Sequence, residues 1–293
     1  MKTILVLTDF SINADYVAHY ALKLAQKIEA NLLLCNIYEV PADEKNIDHK
    51  AWPMPASEQN SINDLSELAM RLKSELDKEE GDTKFKPDIE QCSEEGLVGN
   101  KLNALAANHE VLLAVISIHS ANNLTNFLGT NHTWNIIENA AFPVMVIPYQ
   151  VRFKDYKLIA FASAVNYSDI NVLESLSGLA KYSDSEIMLT HISDERSNDR
   201  IEESMLKQFF NQIPSKINYP KIIYHNIKSD NVTVSLKWLT AHTDIDLLVL
   251  VHQKRSLFQK VFNRSVTQKL TEHPGKPLLI FPCSAVDETL TVF

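Results

Sequence analysis

Glycine is scarce in this sequence. Only six glycines occur among 293 residues, against roughly 20 at an average usage of about 7%. Neither the G-x-G-x-x-G dinucleotide fingerprint nor the G-x-x-x-x-G-K-[ST] phosphate loop can be written anywhere in the chain. The scarcity therefore disfavours Rossmann dehydrogenases and P-loop nucleoside triphosphatases.

Cysteine and long apolar runs are also scarce. The three cysteines, Cys35, Cys92 and Cys283, form no C-x-x-C pair, and Cys35 lies in an apolar run that predicts a small core residue. This usage fits a reducing compartment, so we expect a cytoplasmic protein. Asp9 stops the first apolar run too early for a signal peptide. No run approaches the roughly 18 apolar residues that a membrane span requires, so we expect no membrane partner.

Basic residues are outnumbered by acidic ones. The chain has 28 Lys and Arg against 37 Asp and Glu, a net charge of -9. Such a chain repels phosphate backbones, so no nucleic-acid partner is expected. The ten histidines show no metal-ligand spacing, and no G-x-S-x-G nucleophile elbow occurs. We therefore predict no catalytic residue and no metal site, and expect that the protein is not an enzyme.

The two halves of the chain repeat one another. The first apolar run, 4–9, recurs at 158–163 with an offset of 154, and the Pro-bounded run 143–148 recurs at 277–282 with an offset of 134. The first half therefore carries about 20 additional residues. Their polar, Pro-containing composition places them in a long loop at 41–59.

Each half alternates strand and helix patterns. Near-continuous apolar strands such as 111–116 indicate burial on both faces, as in parallel sheets. The alternation predicts two tandem five-stranded parallel doubly wound sheets, in domains 1–150 and 151–293 joined by a linker at 150–155. Beyond the helix that follows the first strand of each half, we predict helices at 62–78, 97–108, 130–139, 199–212, 231–242 and 265–272.

A tandem α/β unit of about 145 residues resembles the universal stress protein family. The resemblance implies an adenine nucleotide alpha hydrolase-like fold with strand order 3-2-1-4-5, and an adenine-nucleotide pocket in some members. It also implies pairing of two units through their last strands, which gives a pseudo-dimer within this chain and allows a homodimer. The motifs that carry it are 4–11 (ILVLTDFS), 128–131 (LGTN), 143–148 (PVMVIP), 265–270 (SVTQKL) and 277–280 (PLLI).

A nucleotide pocket in the first half would lie where strand order reverses, between the carboxyl ends of strands 1 and 4. ATP-binding relatives carry G-x-x-G-x9-G-[ST] there, whose glycines admit phosphates to backbone N–H groups. Here Ser117 and Ser120 replace the first two glycines, and the spacer to Gly129 has eight residues. The resemblance implies ATP or AMP contacts from Thr8, Asp9, Ile37, Ser117, Ser120, Gly129, Thr130 and Asn131.

The second half departs further from that pattern. Val251 and Lys254 replace the two glycines, Arg264-Ser265 replaces Gly-Ser, and Ser163 is aligned with Asp9. We therefore expect no ATP in this half. The segment 254–269 carries five basic residues and no acid, and is interpreted either as a solvated face or as a site for a small anion.

Two functions fit these residues. The first is a non-catalytic universal stress protein with a stress-response or interaction role and little or no nucleotide binding, favoured by the lost glycines. The alternative is an ATP- or AMP-binding regulator that uses the first-half pocket.

Overall fold

The computed structural model describes residues 2–38, 58–78, 85–118, 130–194, 199–252, 264–272, 274–282 and 293. The first half runs β1 (Thr3–Leu7), α1 (Ile12–Ile28), β2 (Asn31–Tyr38), α2 (Glu58–Lys78), β3 (Ile89–Glu95), α3 (Val98–His109), β4 (Val111–Ser117), α4 (Thr130–Asn139) and β5 (Val144–Ile147). The second half runs β6 (Leu158–Ser163), α5 (Asp169–Ser183), β7 (Glu186–Ser193), α6 (Asp199–Lys216), β8 (Ile222–Lys228), α7 (Val232–His242), β9 (Leu247–His252), α8 (Arg264–Glu272) and β10 (Leu278–Pro282).

The strands form a parallel-dominated sheet in which each half has the predicted order 3-2-1-4-5. The two five-stranded units are continuous, in the order β3-β2-β1-β4-β5-β10-β9-β6-β7-β8. β5 and β10 pair antiparallel, with Met145 opposite Leu279, while the other neighbouring strands pair in parallel. The two sheets expected from the sequence are thus one ten-stranded sheet, because each final strand would otherwise expose an unpaired edge.

Strand side chains alternate between two apolar layers. Ile4 and Val6 of β1 pack with α1 and α2, while Leu5 and Leu7 pack with α3 and α4. The second half repeats this division, with α5 and α6 on the first face and α7 and α8 on the other. Burial on both faces explains why the central strands read as unbroken apolar runs.

Two predicted element boundaries need correction. α2 begins at Glu58, so residues 58 and 59 belong to a helix and not to the predicted loop 41–59; the rest of that loop, 41–57, lies outside the described residues. α6 continues to Lys216 and includes Pro214, whereas the sequence predicted an end at 212. Pro214 lies in the last turn of α6, and one turn further on the Ile217 N–H still donates to the Ile213 carbonyl.

The predicted linker 150–155 contains no helix or strand and packs against the first half. The ring of Phe153 lies edge-on to Tyr20 and Tyr156, with centroids 5.3 and 5.7 Å apart. On the opposite face of the sheet, Trp134 of α4 lies edge-on to His252 of β9, at 5.1 Å. Aromatic contacts therefore join the halves on both faces of the sheet.

The structural repeat has an offset of 155 at its beginning, one residue more than the sequence suggested. Phe10 and Val165 both have φ of 59°, and Glu29 and Asp184 both end a helix in the left-handed region. The hydrogen bond from Ala30 N to the Ala25 carbonyl recurs between residues 185 and 180. Alignment of Ser163 with Asp9 was therefore wrong: Ser163 corresponds to Thr8, and Ala164 corresponds to Asp9.

Candidate functional site

The turn between β1 and α1 fixes Asp9 at the carboxyl edge of the sheet. The Thr8 hydroxyl accepts from the Phe10 N–H at 3.0 Å, and Phe10 has a positive φ that reverses the chain. One carboxylate oxygen of Asp9 accepts from the Ser11 N–H at 3.1 Å and from the Ser11 hydroxyl at 2.7 Å. Ser11 also caps α1 by accepting from the Ala14 N–H at 3.2 Å. Asp9 is thus held in place and half-exposed.

A hydrogen-bonded chain of buried and partly buried polar side chains braces this edge. Asn36 donates from its amide to the Thr8 carbonyl at 2.7 Å and accepts from the Ser61 hydroxyl at 2.9 Å. The Ser93 hydroxyl donates to Ser61 Oγ at 2.7 Å. The chain links β1, β2, α2 and β3, so it stabilises the ends of three strands together. This chain was not predicted from the sequence, although Asn36 interrupts an otherwise apolar run and signals a buried polar contact.

The end of β4 carries a second polar group. Ser117 is buried, and its hydroxyl has no hydrogen-bond partner among the residues described. The next carbonyl, that of Ile118, accepts from the side-chain amide of the buried Asn13 at 2.7 Å. The strand therefore ends in contact with the first turn of α1, as the predicted reversal of strand order requires.

The structure brings Thr8, Asp9 and Ile37 together at one cleft. The part of this cleft that the described residues line has a volume of about 10 Å³, roughly the room for one water molecule. Its walls, on the face of the sheet that α3 and α4 cover, are formed by Leu7, Thr8, Asp9, Cys35, Ile37, Val98 and Ile136.

The remaining predicted contacts have different outcomes. Ser117 lies at the end of β4, the neighbour of β1, as expected. Thr130 and Asn131 begin α4, so their backbone is at a helix N-terminus as predicted. Ser120 and Gly129 lie outside the described residues.

The opposite side of the β1–α1 turn holds a larger pocket that the sequence did not indicate. Its volume is about 270 Å³, and it lies between α1 and α2. Arg71 in this pocket pairs with Asp15 at 2.8 Å and with Glu67 at 2.7 Å, and Asp64 adds a further acid. The surplus of carboxylates over this single Arg opposes a phosphate ligand.

The second half has no carboxylate at the position that corresponds to Asp9. Ala164 occupies the position of Asp9, and the nearest acid is Asp169, which is buried in the first turn of α5. Asp169 accepts from the Ser163 hydroxyl at 2.6 Å and from the Asn166 N–H at 3.3 Å, and burial raises its pKa. The His191 ring nitrogen takes the role of Asn36, 3.1 Å from the Ser163 carbonyl. The Asp169 carboxyl group is thus hydrogen-bonded within the fold and does not face the edge of the sheet at which a ligand would bind.

The basic segment is described only in part. Lys254, Arg255 and Lys260 lie outside the described residues, Arg264 begins α8, and Lys269 is exposed on that helix. The proposed anion contacts therefore stay predictions.

Among the residues that the structure describes, no three His, Cys, Asp or Glu side chains are grouped closely enough to hold a metal ion. No described helix combines the length and apolarity needed to cross a membrane.

Comparison with known proteins agrees with the fold. The family model of the universal stress protein family matches residues 1–148, and this chain belongs to that family. A universal stress protein of Archaeoglobus fulgidus has a TM-score of 0.65 at 13% identity, covering 95% of each chain. One from Pseudomonas aeruginosa has a TM-score of 0.61 at 14% identity, covering 97% of this chain and 94% of that one.

One similar solved structure is not described as a universal stress protein. The cytoplasmic domain of a prokaryotic cation chloride cotransporter has a TM-score of 0.54 at 10% identity, covering 99% of this chain and 98% of that one. At these identities the solved structures support the fold alone. A comparison with curated proteins finds no significant match.

Proposed function

We propose that this chain is a non-catalytic universal stress protein that acts through contacts with other molecules, with little or no binding of nucleotide. The observation that carries the proposal is Ser117 at the end of β4, where ATP-binding relatives have the first of the glycines that admit a phosphate to backbone N–H groups. We propose a cytoplasmic location because the chain has only three cysteines and no C-x-x-C pair, a usage that fits a reducing compartment.

The second half supports the same interpretation. Its turn has Ala164 where the first half has Asp9, and the Asp169 carboxylate is satisfied inside the fold by Ser163 and a backbone N–H. No ribose or phosphate contact of the Asp9 type can form there. We propose that this half contributes structure and surface instead of a nucleotide site.

The arrangement of the halves makes the chain a pseudo-dimer. We propose a domain boundary within the linker 150–155, with units 1–150 and 151–293. The edges through which two family units would associate are already paired, β5 with β10. A homodimer would therefore have to use another surface, and association with a second copy through the last strands is not expected.

A second candidate is an ATP- or AMP-binding regulator. Two observations favour it: Asp9 is half-exposed at the end of β1, and the buried Ser117 hydroxyl has no partner among the described residues. The start of α4 at Thr130 adds a helix N-terminus, which attracts anions.

Isothermal titration with ATP and with AMP up to millimolar concentration distinguishes the two candidates. The proposed function predicts no saturable heat for the wild-type protein. Saturable binding that is lost in Asp9→Ala and retained in Asp244→Ala would establish the second candidate. Asp244 is a suitable control because it is an exposed carboxylate in the other half.

A further inference from the structure

Two of the three cysteines face each other across neighbouring strands. Cys35 of β2 and Cys92 of β3 are direct partners in the parallel register. Adjacent strands lie about 4.8 Å apart, and a disulfide requires Cα atoms about 4.4–6.8 Å apart. Both side chains pack against the same apolar layer, so they lie on the same face of the sheet. The backbone therefore already holds the two residues at bridging distance.

The surroundings make the two thiols unequal. Cys35 is fully buried, whereas Cys92 is only partly buried on β3, the edge strand of the described sheet. A small oxidant can therefore approach Cys92 from solvent, whereas Cys35 has no exposed surface.

Hydrogen bonding also separates the thiols. A hydrogen bond with Cys92, together with burial, raises the pKa of Cys35, and the same hydrogen bond lowers the pKa of Cys92. The positive charge of Lys101 on α3 lowers the pKa of Cys92 further, while burial and Glu94 oppose the shift. Glu94 lies 3.8 Å from Cys92 Sγ and is itself paired with Lys101 at 2.9 Å. Cys92 is thus the thiol that more readily forms the nucleophilic thiolate.

We propose that Cys35 and Cys92 form a redox-reactive dithiol, which hydrogen peroxide converts into a disulfide between β2 and β3. In the first step, the Cys92 thiolate attacks one peroxide oxygen; the O–O bond breaks, sulfur becomes a sulfenic acid, and the other oxygen leaves as water after taking a proton. In the second step, Cys35 sulfur attacks Cys92 sulfur. The S–O bond breaks, and the hydroxide leaves as water with the Cys35 proton.

A purely structural role for the two cysteines explains only part of their arrangement. A small apolar core residue accounts for Cys35, but it does not account for a second, partly exposed thiol directly opposite. The proposal does not depend on whether the neighbouring cleft takes a nucleotide.

The test uses the full-length protein with Cys283→Ser, so that only the two proposed thiols remain. The protein is treated with graded hydrogen peroxide, its free thiols are alkylated, and its peptides are analysed by mass spectrometry without reduction. We expect both thiols to disappear together, with a peptide linked through Cys35 and Cys92 that dithiothreitol separates.

Two further variants separate the roles of the thiols. In Cys35→Ser, Cys92 should accumulate as a sulfenic acid that dimedone traps, and its alkylation should require a higher pH than in the parent. In Cys92→Ser, Cys35 should resist peroxide because it is buried. Thermal unfolding of each variant shows that it is folded before its thiol is interpreted.

The proposal is overturned if no Cys35–Cys92 link forms at peroxide doses that oxidise Cys92 to sulfinic acid. It is equally overturned if Cys92 links two chains in preference to Cys35. Equal loss of the Cys92 thiol to sulfinic acid with and without Cys35 would show that Cys35 does not resolve the sulfenic acid.

Discussion

The hydroxyl oxygens of Tyr20 on α1 and Tyr156 beside the linker lie 2.7 Å apart, and both side chains are buried. The two residues come from different halves, so this hydrogen bond ties the linker to the first core. Phe153 packs edge-on against both rings. The contact positions the second half relative to the first, in addition to the pairing of β5 with β10.

Removal of one hydroxyl from this pair should destabilise the protein. In Tyr20→Phe or Tyr156→Phe, the remaining buried hydroxyl loses a partner, at a cost of about 1–3 kcal/mol. The double variant should cost less than the sum of the two single ones, since no orphaned hydroxyl remains. Urea unfolding of the three variants measures these free energies, and strict additivity would contradict the assigned pairing.

The same pair predicts a loss of stability in alkali. Burial raises the pKa of both phenols above the ordinary value near 10. The hydrogen-bonded partner raises the pKa of Tyr20 further and partly offsets the rise at Tyr156. Between that value and the raised pKa, the unfolded chain loses phenolic protons that the folded chain keeps. Stability is therefore complete below pH of about 10 and falls above it, by about 1.4 kcal/mol per pH unit for each such group. The double Phe variant should show a shallower fall than the wild type.

Asp169 predicts a loss of stability with rising pH at the acid end of the range as well. Because burial raises its folded pKa, the folded state holds a proton that the unfolded chain releases near pH 4. Its contribution is thus greatest below the unfolded pKa and is lost as pH rises through the folded one. Relative to Asp169→Asn, the wild type should lose unfolding free energy as pH rises from about 4. A constant difference between the two proteins across pH 4–7 would contradict this.

Ala at Gly178 should stabilise the protein less than its position inside α5 suggests. A Cβ there would lie 2.7 Å from the carbonyl oxygen and 2.9 Å from the carbonyl carbon of Phe293. Gly178→Ala should therefore displace Phe293 and forfeit much of the usual gain of about 1 kcal/mol in helix propensity. In a protein that lacks Phe293, the same substitution should stabilise the fold. Thermal unfolding of the four proteins measures this coupling; an equal effect in both backgrounds would exclude the contact.

The sequence predicted the order of elements well because helix and strand periodicities are local. The alternation of apolar strands with amphipathic helices predicted the parallel sheet in each half, and the matched final strands 143–148 and 277–282 predicted the pairing of β5 with β10. The order 3-2-1-4-5 followed from the resemblance to the universal stress protein family. These features need no knowledge of register.

The sequence failed where register mattered. β1 and β6 are buried on both faces, so a shift of one residue leaves the apolar pattern intact. That is why Ser163 was aligned with Asp9, although the left-handed Phe10 and Val165 show that Ala164 is its counterpart. The contact of Asn36 with Ser61 and the pairing of Cys35 with Cys92 likewise follow only from the assembled strands.

The nucleotide content of the protein as purified tests the central claim most directly. The protein is isolated without added nucleotide and denatured with acid, and the released bases are quantified by chromatography against protein concentration. The replacement of the two early phosphate-contacting glycines by Ser117 and Ser120 predicts far less than one adenine nucleotide per chain. A ratio approaching one, lowered in Asp9→Ala but not in Asp244→Ala, would contradict the account.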